Sequence, residues 1–503
     1  VQVWAQVLKL RQVGIDDNFF ELGGDSILSL RVVALAAQHG LGVSLQRLFQ
    51  HQTPRRLAAE LTHAPEPEER SRSVSLLSEA DRALLPEDVE EAYPLAALQA
   101  GMLFHSELDA SAATYHDILS LHLEAPWDAS ALERALERLT ERHPILRTSF
   151  DLTRFSQPLQ CVHHRARIPL TVEDLSALSA EDQERTLAVW FDSEQRRPFA
   201  WDQAPLARCF VHRRGERSFE LTLSVHHAVL DGWSAATFFT ELIQLHAALR
   251  TGAPPPELPP AVPYSAFIAL ERQALDSEAS RRFWSQTLEG AEPTRLPRLA
   301  TGPGAPEDRV WQVPIRPETS AGLKRLAQQE GVPLKSVLLT AHLGVLGLLA
   351  EGREVITGLV SNGRPELAGA ERSLGLFLNT LPLRQQLRPV SWRERVHDTW
   401  ASEQALLPHR RYPMVEMQRQ HGGPLFDVAF NFIHFHVLRD LVATPGHRVL
   451  AERGFARTNL ALAAEFSLEL EHSHVSLRLS VHEPAISEPQ LALLAGYYER
   501  ALE

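Results

Sequence analysis

The sequence predicts a multidomain chain, in which a small all-α bundle of three or four short helices precedes an α/β (α+β) domain built in two halves. Three observations carry this. The chain has 503 residues, too many for one hydrophobic core at roughly 100–200 residues per domain. Residues 1–62 read as a compact helical unit, with a loop at Val13 to Asp17. From about Glu91 onward, alternating runs that suit strands are interleaved with helical runs.

In the first unit Trp4, Val7 and Leu8 fall at helical spacing. Ser26 opens a second helical pattern with Ile27, Leu30, Val33 and Ala34 on one face. Thr53-Pro54 marks a helix start, because Thr caps free N–H groups and Pro suits the first helical position. Residues 63–90, with Pro65, Pro67, Pro86, charges and serines, read as a linker with one short helix around Glu79 to Leu85. Beyond it, Ile118 to Leu123 and Phe219 to Val225 alternate as strands, while Ala131 to Arg142 and Ala235 to Leu249 read as helices. A proline-rich break, Ala253 to Pro263, precedes a helical run over Tyr264 to Leu288. This divides the second unit into residues 91–262 and 263–503.

Composition narrows the function. Hydrophobic residues are 44% and charged residues 22% of the chain, which suits a soluble globular protein. A net charge of -13 lacks the basic footprint of a nucleic-acid binder. The longest apolar stretch, Ser336 to Ala350, contains His342 and falls short of a membrane span. Val1 to Leu10 lacks a secretion signal and a starting Met, so the chain reads as a monomeric piece excised from a longer cytoplasmic protein. Cys161 and Cys209 do not make a disulfide framework. Cys161 with His163 and His164 has no second ligand pair at zinc spacing, so no metal is expected.

The first chemistry lies in Asp17-Asn18-Phe19-Phe20-Glu21-Leu22-Gly23-Gly24-Asp25-Ser26-Ile27. Two glycines free the backbone for a tight turn, and Ser26 then begins a helix, whose N-terminus tolerates a phosphate. A bare Gly-Gly-x-Ser turn reads as an ordinary cap. The wider string, together with Trp4, Phe19 and Phe20, resembles the attachment motif of peptidyl carrier proteins. The resemblance covers residues 1–62. It implies that Ser26 carries a covalent 4′-phosphopantetheine arm, with Gly24 and Asp25 beside it, and that a phosphopantetheinyl transferase installs it. Asp25 stands where many such carriers have His; the Asp form is often seen in carriers that serve an epimerisation domain.

The second chemistry lies in His226-His227-Ala228-Val229-Leu230-Asp231-Gly232-Trp233-Ser234, between a strand and a helix. A neutral imidazole there takes a proton near pH 7 or holds a nucleophile. Asp231 bends back under the loop and needs a cation if buried, for which Arg364 is the candidate. Gly232 permits a tight turn and offers an N–H to a developing oxyanion. A bare His-His pair is more often structural, and His163, His164, His421, His434 and His436 read that way. Arg142 and Arg147, at a helix end and a strand start, also read as structural.

The full H-H-x-x-x-D-G string resembles the signature of condensation domains and of the wider chloramphenicol-acetyltransferase-like acyltransferases. Tyr93 to His105, Arg142 to Phe150 and Gly375 to Arg384 resemble further condensation motifs in the right order. Tyr264 to Phe267, His409 to Pro413 and Pro424 to Asn431 match more loosely. The resemblance spans about Glu91 to Glu503. Both histidines are present, unlike heterocyclisation domains, and Ser361-Asn362-Gly363-Arg364 replaces the E-G-H-G-R string of epimerisation domains.

The resemblance implies a carrier–condensation didomain of a nonribosomal peptide synthetase, with two acetyltransferase-like halves in a V shape. It implies that Ser26 presents a donor acyl thioester, and that an amine on a downstream aminoacyl carrier attacks it. It makes His227 the central residue, His226 its support, Asp231 with Arg364 the frame of the loop, and Trp233, Ser234 and Asn379 candidates for the channel wall. Partners would include upstream and downstream adenylation domains. Two rivals remain from other classes: a docking module that only recruits a partner enzyme, and an acyltransferase acting on a free small acceptor.

Overall fold

The computed structural model describes residues 1–63, 76–108, 114–258, 260–297, 309–350, 354–456, 460–469, 473–481 and 486–503. Most of the linker core, 64–75, lies outside the described residues.

The first unit holds four helices, Gln2–Leu8, Ser26–Gln38, Leu45–Gln50 and Pro54–Ala59. Thr53 caps the last of these through Arg56 N–H, with Pro54 opening it. Asp25, not Ser26, caps the second: its Oδ1 accepts from the N–H groups of Ile27 and Leu28 at 2.9 and 2.8 Å. The bundle's own core is Trp4, Val7, Val13, Phe19, Leu28, Val32, Leu48 and Leu57. The face read from the sequence, Ile27, Leu30 and Val33, instead packs into the core of the large unit, with Leu45 beside it. The helix Ser26–Gln38 is apolar on two sides because it serves two cores.

Among the described residues the large unit is built on three main sheets. A five-stranded sheet has the order Arg448–Phe455, His116–Glu124, Ser218–His226, Ala207–Arg213, Leu170–Asp174. A six-stranded sheet runs Arg309–Val313, Val475–Val481, Leu462–Leu468, Val428–Ile433, Glu354–Asn362, Leu378–Gln386. A three-stranded sheet joins Val89–Pro94, Leu159–His163 and Thr148–Asp151. Each large sheet backs one hydrophobic core.

One boundary needs correction. A cut at residue 262 does not separate the halves in space. Strand Arg448–Phe455, late in the chain, pairs antiparallel with His116–Glu124 and closes the edge of the first sheet, and Tyr264, Phe267 and Phe377 belong to the first core. The crossing strand covers His116–Glu124 and itself becomes the outer strand of that sheet. The short helix expected near the end of the linker is present at Glu79–Ala83, and Leu77 and Val89 on either side of it pack with Leu159 and Cys161.

Among the described residues no single helix is long and apolar enough to cross a membrane. The apolar run after Ser336 is the buried helix Leu334–Leu349.

Candidate functional site

The histidine motif follows from local structure. Strand Ser218–His226 is buried along almost its whole length and ends in the motif. The chain then turns through residues 227–231, and Asp231 caps the helix Gly232–Thr251 by accepting from Ser234 N–H at 2.7 Å. The turn is tied down at both ends. His227 N–H donates to Tyr115 C=O at 2.8 Å, and Asp231 N–H to Gly375 C=O at 3.0 Å.

The two histidines have different environments. His226 Nδ1 accepts from Ala228 N–H at 3.2 Å, and its Nε2 lies 3.3 Å from Ser106 Oγ. Burial, helped by the charge of His227, pushes His226 down to about 4, so it stays neutral near pH 7. It supports the turn. His227 lines the cavity described below, and its Nδ1 lies 2.6 Å from Asp117 Oδ2. Burial disfavours its charged form, but Asp117, then Asp231 and the Leu230 carbonyl, outweigh burial and raise it above the usual imidazole range.

Asp117 escaped the sequence reading. It sits on strand His116–Glu124, opposite Val225, so the sheet register delivers it beside the histidine. A carboxylate on Nδ1 orients the ring and favours its protonation, leaving Nε2 for a substrate. Asp117→Asn is expected to move the acid limb of the pH–rate profile to lower pH, since the neutral imidazole then persists further into acid. It should add no further loss in a His227→Ala background, because the two groups act as one unit. An unmoved limb measured across pH 5–8 would remove Asp117 from that role.

Asp231 is buried beneath the loop, and Arg364, fully buried, reaches it: Nη2 lies 3.1 and 3.3 Å from the two carboxylate oxygens. Phe377 N–H donates to Asp231 Oδ2 at 3.1 Å, and the Arg364 guanidinium lies 4.0 Å from the centre of the Phe377 ring. Ser234 is not a channel residue. Its hydroxyl is buried, accepts from Arg364 Nη2 at 2.7 Å and donates to Gly375 C=O at 2.8 Å, completing the same network. Trp233 and Asn379 do line the cavity. Trp233 Nε1 donates to Glu371 C=O at 2.7 Å, and Asn379 Nδ2 to the carbonyls of Arg410 and Tyr412.

A cavity of 1190 Å³ joins the two units. Its wall includes Gly23, Gly24, Asp25 and Ile27 from the first, and His227, Gly232 and Trp233 from the second. Both glycines are needed. Gly23 has φ +94°, and a Cβ at Gly24 would stand 2.3 Å from the Phe19 ring. A Cβ at Gly232 would stand 2.8 Å from the Phe435 ring. The space exceeds the roughly 300–1,000 Å³ of ordinary ligand pockets and is walled beside Ser26 by Gly23, Gly24, Asp25 and Ile27. The residues thus fit a long slender arm fixed at Ser26. One expectation changes: Asp25 takes the first-turn N–H groups of Ile27 and Leu28, so these do not hold a phosphate.

The histidines set aside as structural divide. His421 Nε2 lies 2.9 Å from Ala291 C=O, and His163 sits between Ser149 and Asp88. Arg142 pairs with Glu241, and Arg147 with Glu90. His434 and His436, by contrast, face Asp25 of the first unit, with Nδ1 atoms 3.1 and 2.8 Å from its Oδ2. Nothing in their sequence context pairs them with a residue some 400 positions away.

Residues 89–481 match the family model for the condensation domain, and residues 1–61 that for the phosphopantetheine attachment site. The chain is 36% identical, over its full length, to the AMB antimetabolite synthetase AmbE of Pseudomonas aeruginosa, of which it spans 24%. It is 30% identical over 85% of its length to malpinin synthetase of Mortierella alpina, spanning 6% of that protein. Among solved structures it resembles the first condensation domain of the CDA synthetase, with a TM-score of 0.69 and 23% identity, covering 82% of this chain and 96% of the other. It also resembles a chain from the complex of the X-domain and OxyB from teicoplanin biosynthesis, with a TM-score of 0.67, 21% identity and coverages of 83% and 93%. The chain therefore belongs to the condensation-domain family, and carries in front of that domain a phosphopantetheine attachment domain, the pairing found in nonribosomal peptide synthetases.

Proposed function

We propose that this chain forms an amide bond, with residues 1–62 presenting the acyl donor to His227 in cis. The observation that carries the reading is a continuous cavity whose wall contains both the loop next to Ser26 and His227. The 4′-phosphopantetheine arm at Ser26, when attached and loaded, supplies an acyl group as a thioester, so amide formation exchanges a C–S bond for a C–N bond and releases a thiol. His227, oriented through Nδ1 by Asp117, meets the attacking amine at Nε2 and takes or directs its proton. Asp231, Arg364 and Ser234 hold the loop that aims the ring. Gly232 brings the start of its helix to the same wall, where a partial positive charge favours a developing oxyanion.

The amine would belong to an aminoacyl group on a downstream carrier. A phosphopantetheinyl transferase would modify Ser26, and adenylation domains on either side would load the two carriers. The free, buried Cys161 and Cys209 suit a reducing cytoplasm.

Intact-protein mass spectrometry tests this. Ser26 is loaded enzymatically with a peptidyl-pantetheine, and a separate aminoacyl carrier is added. The peptide mass should leave this chain and appear on the acceptor. Loading without transfer across a panel of acceptors would instead support a recruiting module.

A further inference from the structure

Asp25 stands at the boundary between the two units and is used from both sides. Its Oδ1 caps the helix Ser26–Gln38. Its Oδ2 faces the condensation domain, where His436 Nδ1 lies at 2.8 Å and His434 Nδ1 at 3.1 Å. Both histidines follow strand Val428–Ile433. His436 meets Trp233 edge-on with ring centres 4.8 Å apart, and Phe435 between them packs on Gly232. The pair is thus held by the histidine-motif loop itself. The three side chains are only 12–18% exposed.

Arg31 also pairs with Glu371 across this boundary at 3.3 Å, from a side chain 35% exposed, and two further contacts supply attraction without choice. Lys9 and Asp440 pair at 2.6 Å with Lys9 67% exposed, where water screens the charge. Ile27, Leu30 and Val33 bury apolar area, which any amphipathic helix provides. Asp25 differs because it is a charge withdrawn from water and met by two donors. Burial would raise its carboxyl, but His436 and His434 outweigh burial and hold it far below the usual range.

We propose that His434 and His436 read residue 25, so that the condensation domain accepts a carrier with a carboxylate before the modified serine and rejects one with a basic residue there. A neutral imidazole at position 25 would offer one acceptor nitrogen in place of a carboxylate, so it would leave at least one of the two N–H donors buried without an acceptor. The inference deepens the proposed function and rests on its premise that the carrier docks here to react. A divalent ion is the rival occupant, since the three ligand atoms lie within 4.8 Å of one another.

The test uses the full chain with Lys9→Cys and Asp440→Cys, joined by a short bis-maleimide whose rate reports docking; Cys161 and Cys209 are buried. Asp25→His should slow cross-linking about tenfold or more, and so should His434→Ala with His436→Ala, which leaves the carrier untouched. Asp25→Asn, which keeps the cap, should slow it less. Combining Asp25→His with His436→Asp should restore it. Unchanged cross-linking in the double-alanine variant would overturn the proposal. So would slowing by a chelator in the Lys9→Cys, Asp440→Cys chain that keeps Asp25, His434 and His436, which would assign the histidines to an ion. The readout needs no chemistry, so failed peptide transfer alongside these shifts would count against the condensation reading alone.

Discussion

His227→Ala is expected to lower peptide transfer from Ser26 by about 10²–10⁴-fold, the usual contribution of a positioned acid–base group. The ring lies on the cavity wall, and its backbone N–H to Tyr115 survives the substitution. Loading of Ser26 and thermal stability should therefore stay near wild type. His226→Ala provides the contrast. It removes a neutral, buried ring that accepts from Ala228 N–H and meets Ser106, so its first effect should be on stability. Single-turnover transfer from preloaded chain, followed by intact mass, separates the two. Transfer retained within about threefold in His227→Ala would show that no proton moves through this ring, and that holding the reactants together carries the rate.

Much of this was legible because the signals are local. Gly23 and Gly24 announce a turn that only glycine makes, and the turn is there for the reasons named, a positive φ and contact with Phe19. The histidine motif lies between a buried strand and a helix, as its flanks imply. The pairing of Asp231 with Arg364 could be guessed, since a buried carboxylate needs a cation. What was not legible depends on register and docking. Asp117 lies one residue before the visible alternation of Ile118 to Leu123, and only its pairing opposite Val225 brings it to His227. The apolar face Ile27, Leu30, Val33 was visible, but a periodicity cannot say which of two cores it enters. His434 and His436 looked like ordinary histidines near a strand end. Their partner lies in another domain, and no local pattern names it. The sheet edge closed by Arg448–Phe455 is hidden for the same reason.

Arg364→Ala is the largest expected loss of stability, about 3–5 kcal/mol, because removing one partner leaves a buried carboxylate uncompensated. The guanidinium ties Asp231, Ser234 and the carbonyls of Ala370 and Ser373 into one cluster, and no other cation is within ion-pair distance of Asp231 among the described residues. The effect should appear as a lower urea midpoint, with little change in slope if unfolding stays cooperative. Arg364→Lys should recover only part of it, since an ammonium cannot span those acceptors in one plane or lie flat on Phe377. Asp231→Asn separates charge from shape: it keeps a cap for Ser234 N–H but strands the arginine, so its loss should approach that of Arg364→Ala. The pair Arg364→Ala with Asp231→Asn should cost less than the sum, as partners in one network are not additive. A loss below about 1 kcal/mol for Arg364→Ala, the size of an exposed pair, would mean that water reaches the cluster. The loop would then be held chiefly by its backbone ties to Tyr115 and Gly375.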